Sequence, residues 1–96
     1  MTKSRQQLRE DFNQNGFDFL MADLDSALAF AQRALGLNVD PEVKRRNVNN
    51  ARKAFDTVGR LRERLQLDFR QQSAFDEKRT KLKNALEQLG EQISST

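Results

Sequence analysis

Asp11-Phe12-Asn13-Gln14-Asn15-Gly16 comes closest to a chemical signature in this chain of 96 residues. It matches the first half of a calcium-binding loop of the EF-hand kind, D-x-N-x-N-G. Such loops turn alternate oxygens towards one cation, and their glycine permits a sharp bend. The match then stops. The twelfth position should be a bidentate Glu and is Ala22, and the eighth, apolar in such loops, is Asp18. One carboxylate is a poor cage for a hard divalent cation, so no metal site is expected. The same residues suit a turn between two helical segments, which is the simpler reading.

Catalysis is poorly provided for. The chain has no His, Cys, Tyr or Trp. Acid–base work near neutrality would fall on a carboxylate or lysine whose pKa burial had shifted strongly. A Ser–His or Cys–His pair cannot be assembled. Without cysteine there is no disulfide framework and no thiolate metal site. No enzymatic activity, catalytic residue, cofactor or small-molecule substrate is expected.

Two surfaces remain as candidates for binding. The formal charge is +3, unevenly spread. Residues 17–40 carry Asp18, Asp23, Asp25 and Asp40 against Arg33 alone. Residues 41–64 are strongly basic. There Arg46, Asn50, Lys53, Thr57, Arg60 and Arg64 recur at helical spacing beside Lys44 and Arg45. Lys44, Arg45, Arg46, Lys53, Arg60 and Arg64 thus form a candidate nucleic-acid surface, able to neutralise phosphates. The plainer account is a solvated outer face, since no exposed aromatic is interleaved for stacking and no helix-turn-helix spacing appears. Phe19 and Phe30, eleven residues apart, share a helix face beside the main apolar stripe. They are a candidate partner surface, with border packing against a third helix as the alternative. Arg62 and Arg79 fall on apolar seams, where their stems can cover the core while the guanidinium reaches water. Arg62 is expected to face Phe75 and stack on it. A partner or anion site is the other reading of this pair.

The elements that must position these residues are helices. One proline, few β-branched residues and much Ala, Leu, Arg, Gln and Glu point to an all-α chain. Asp40-Pro41-Glu42 is a strong helix start. From it, apolar residues recur at Val48, Ala51, Phe55, Val58, Leu61 and Leu65, which predicts a helix over about 41–67. An earlier stripe through Leu20, Leu24, Ala27, Leu28, Ala31 and Leu35 predicts a helix over about 17–35, with Gly36 as its C-cap. Phe75, Leu82, Leu86, Leu89 and Ile93 predict a third over about 69–93, capped by Asp68 or Ser73 and weakened by Gly90. Residues 1–16 form an N-terminal segment. Within it, 3–12 suit a short helix started by Ser4 and Gln7 at capping-box spacing. Folded back at Asn13–Gly16, it would shield Phe69 and Phe75; without a turn it would lengthen the first long helix.

Short connectors make neighbouring helices antiparallel. The expected fold is one all-α domain, an antiparallel up-down-up three-helix bundle, with or without a short extra N-terminal helix. Both hairpin registers converge on Phe55.

The block Asn50-Ala51-Arg52-Lys53-Ala54-Phe55-Asp56-Thr57-Val58, after the Asp-Pro-Glu start, resembles a segment of small bacterial helical-bundle proteins with no assigned function. The resemblance spans roughly residues 22–90. It implies a helical fold and a bacterial source, and no activity. The Ala-x-x-Ala-Phe spacing is also similar to helical-hairpin repeats of the tetratricopeptide kind, but their 34-residue period is absent.

The amino terminus lacks the apolar run of a signal peptide, and no stretch approaches the ~20 apolar residues of a membrane span. A cytoplasmic protein without membrane contact is expected. The expected function is that of a small interaction or structural protein, taking a protein partner or a second copy of itself. A basic bundle that binds nucleic acid electrostatically is the alternative.

Overall fold

A computed structural model describes residues 4–93. Among them there are three helices: α1 (Arg5–Ala34), α2 (Pro41–Arg62) and α3 (Phe69–Gln88). They form an antiparallel three-helix bundle measuring 56 × 27 × 18 Å.

Each helix starts on the side chain that the sequence offers. Ser4 and Gln7 form a reciprocal capping box, the Ser4 oxygen accepting from the Gln7 N–H at 3.2 Å. Asp40 accepts from the Glu42 and Val43 amides, with Pro41 next in line. Asp68, not Ser73, caps α3, in a second capping box with Gln71. Each such cap satisfies amide donors that lack intrahelical partners, which stabilises by about 1 kcal/mol.

The helix ends depart from expectation more than the starts. Among the described residues there is no separate N-terminal helix and no turn at Asn13–Gly16; residue 3 of the expected short helix lies outside them. The helix runs unbroken through that stretch, and α1 is 30 residues long, roughly 45 Å. α2 stops at Arg62 rather than Leu67. The next amides tighten to i−3 acceptors, Arg64 onto Leu61 and Leu65 onto Arg62. α3 stops at Gln88 rather than Ile93. Gly90, at φ 91°, ends it instead of weakening it. The Glu91 and Gly90 amides return to the Leu86 and Glu87 carbonyls, a Schellman closure. In the first connector the left-handed residue is Asn38, at φ 58°, not Gly36.

The core is one continuous cluster. Leu20, Leu24, Ala27 and Ala31 come from α1, Ala51, Phe55 and Val58 from α2, and Phe75, Leu82 and Leu86 from α3. Leu65 joins it from the second connector. Leu35, expected in the core, is exposed, and Ala34 takes its place. Ile93, although past the end of α3, still packs against the cluster.

Gly16 is where α1 makes room for Leu65 of the second connector. A Cβ there would lie 2.5 Å from Leu65 Cδ2 and 2.9 Å from Cδ1. Without one, the backbone of α1 lets Leu65 turn inward and bury itself. Asn13 and Gln14 fasten the same junction. The Asn13 side-chain oxygen accepts from the Gln66 N–H at 3.0 Å, and the Gln14 side-chain oxygen accepts from Gln71 Nε2, at the start of α3, at 3.2 Å. The residues that read locally as a turn serve as the seat for a connector fifty residues away.

Candidate interaction surface

The helical course of 11–16 removes the cation loop. On an α-helix, alternate residues step about 200° around the axis, so Asp11, Asn13 and Asn15 cannot converge on one ion. Asn13 and Gln14 already serve the connector, and the Gln14 side-chain amide also donates to Asp18.

The two seam arginines meet different partners from those expected. Arg62 does not stack on Phe75. Its guanidinium donates to the Gln72 side chain and, at 2.9 Å, to the Leu65 carbonyl, which fixes the second connector. Arg79 instead lies over the Phe55 ring, 4.7 Å from its centroid. α2 and α3 touch least of the helix pairs. Between them lies an open groove of about 430 Å³, lined by Phe55, Phe75, Arg60, Arg62 and Arg79 and by Asp56 and Glu63. The two carboxylates offset its positive charge.

Phe19 and Phe30 are separated in environment although they share a face. Phe30 is half-buried against the core, with the Arg33 guanidinium 5.9 Å from its ring centroid. Border packing accounts for it. Phe19 is 54% exposed. Its companions are Leu8 at 55% and Phe12 at 56%, not Phe30. At about 100° per residue these three lie within roughly 40° of one another on α1. Their spacing was visible in the sequence, but a turn at Asn13–Gly16 would have broken the strip. Phe75 is buried, whereas Phe69 stays 86% exposed, so the N-terminal part of α1 does not shield it.

The strip continues along α1. Leu8, Phe12, Asn15, Phe19, Ala22 and Ser26 follow spacings of four and three, and all six are exposed. These are the spacings of a and d positions in a coiled-coil heptad, on a face outside the chain's own core.

The basic residues are less ordered as a surface than their spacing suggests. Arg46, Lys53 and Arg60 stand in line on α2, seven residues apart. Arg64 lies in the connector because α2 ends before it. Lys44 and Arg45 point away from that line, by about 200° and 100° from Arg46. All six are exposed. Within residues 4–93 none of their side chains forms an ion pair or hydrogen bond, whereas Arg52, Lys78 and Lys81 pair with Asp56, Asp25 and Glu77.

Among the described residues, no helix is long and apolar enough to cross a membrane. No family model, curated protein or solved structure matches the chain.

Proposed function

We propose that this chain is a non-enzymatic interaction protein of the bacterial cytoplasm that associates with itself along the exposed strip of α1. The observation that carries the reading is the arrangement of Leu8, Phe12 and Phe19, each more than half exposed on one narrow strip. Single exposed apolar residues are ordinary, but contiguous ones mark contact sites. Covering such side chains is favoured by roughly 25 cal/mol per Å² of apolar surface. A second copy is a fitting occupant because the strip is large at one end and small at the other, so it complements itself.

Light scattering across a concentration series tests this. A single chain has a mass of 11.1 kDa. The apparent mass should rise towards twice that value between about 10 μM and 1 mM, the range of a modest interface. The Phe12→Gln/Phe19→Gln variant should stay at the monomer mass with unchanged helicity. A wild-type mass that is flat over the whole range would refute the reading.

The six cations of α2 and its connector, unpaired among the described residues, favour a second reading, electrostatic binding to nucleic acid. Retention on an immobilised oligonucleotide, falling linearly in log–log form as salt rises, would support it. Retention that does not depend on salt, or none at low salt, would end it.

A further inference from the structure

We propose that two copies of the chain pair along α1 in antiparallel orientation and in one register, with Phe12 of each seated over Ala22 of the other. The inference rests on the self-association reading and supplies its geometry.

Size decides the orientation. The large seam residues Leu8, Phe12 and Phe19 precede the small ones, Ala22 and Ser26. A parallel pair stacks Phe12 on Phe12 and Phe19 on Phe19. It leaves Ala22 and Ser26 facing their own copies across a gap. An antiparallel pair with its two-fold axis level with Phe17 sets Leu8 opposite Ser26, Phe12 opposite Ala22, and Phe19 opposite Asn15. Every layer then joins a larger side chain to a smaller one, as close packing of knobs into holes requires. The contact is isologous, so it closes at two chains.

Charge agrees on one edge and sets a condition on the other. The edge formed by Arg9 and Asp23 meets itself in the antiparallel register, bringing Arg9 towards Asp23 twice. The parallel register would bring Asp18 towards Asp23 instead. The opposite edge carries Asp11, Asp18 and Asp25. Lys78 neutralises Asp25 at 2.5 Å, which lessens the repulsion there. Asp18 still meets its own copy near the axis. Salt screens this repulsion and the two Arg9–Asp23 attractions alike, so association should change little as ionic strength rises. Nucleic-acid binding would weaken under the same change.

The chain has no cysteine, so introduced thiols report only on their own positions. Leu8→Cys and Ser26→Cys are made as separate proteins and incubated alone or as an equimolar mixture in a glutathione redox buffer. In the antiparallel pair, a residue and its own copy at these positions are about 27 Å apart, while position 8 faces position 26. The mixture should therefore form a disulfide-linked heterodimer, and neither protein alone should cross-link appreciably. The wild-type mass, read beside it by light scattering, should change little between 20 and 500 mM salt. Cross-linking of Ser26→Cys alone as readily as the mixture means a parallel or unspecific contact and overturns the geometry. So does a heterodimer no more abundant than the homodimers. In both cases a concentration-dependent wild-type mass leaves self-association standing. A wild-type mass that never exceeds one chain removes the inference together with the reading beneath it.

Discussion

Gly16 and Gly59 are both helix-interior glycines, and local propensity treats them alike. Replacing either with alanine should stabilise its helix by about 1 kcal/mol. The structure separates them. A Cβ on Gly59 meets nothing within 4 Å. A Cβ on Gly16 lies 2.5, 2.9 and 3.3 Å from three carbons of Leu65, where carbon–carbon contacts prefer about 3.5–4.0 Å. Leu65 must therefore move by about an ångström, and at 4% exposure it has little free space to enter. Forcing an extra carbon into such a site typically costs about 1–3 kcal/mol. Setting this cost against the propensity gain, Gly16→Ala should lose about 0–2 kcal/mol while Gly59→Ala gains about 0.5–1. Urea unfolding followed by far-ultraviolet circular dichroism measures both. For a domain of this size, 1 kcal/mol moves Tm by roughly 4–8 °C, so the gap between the variants is measurable by heating too. The reasoning fails if the two substitutions raise stability equally, because Leu65 would then not rest against α1. Adding Leu65→Ala to Gly16→Ala should remove the steric part of the penalty, so the two losses should not be additive.

Phe55, 5% exposed beneath Arg79, should cost about 3–5 kcal/mol when truncated to alanine; a melting temperature within a degree or two of wild type would place it outside the core. Asp40→Ala should lose about 1 kcal/mol, as two amides of α2 lose their acceptor, whereas Asp40→Asn should lose much less in the same urea titration. Calcium should produce no binding heat and no change in circular dichroism at millimolar concentration, because 11–22 is helix rather than loop. A calorimetric Kd below about 1 mM, the weak end for natural loops, would contradict that.

Much of the architecture was legible because its determinants lie within four residues of where they act. The caps at Ser4, Asp40 and Asp68 and the apolar periodicity of all three helices are of this kind. So is the burial of Phe55, Phe75 and Leu82. The candidate surface was half legible. The spacing puts Phe19 and Phe30 together off the core stripe, yet Phe30 is occupied by the core and by Arg33. Leu8 and Phe12 suit a lid over Phe69 and Phe75 on local pattern, but they stand open beside Phe19.

The chain alone settles an all-helical bundle, the caps at Ser4 and Asp40 and most of the inward face, because hydrogen-bond caps and periodicity are local. It could not settle where α1 and α2 continue or stop. Asn-Gln-Asn-Gly is a turn on local preference, but intrinsic propensities are small and packing overrides them. Here the override comes from Leu65 against Gly16, Gln66 on Asn13 and Gln71 on Gln14, partners about fifty residues away. Those contacts exist only once the bundle has closed. Their consequence is an unbroken α1, and only an unbroken α1 aligns Leu8, Phe12 and Phe19 into one exposed strip.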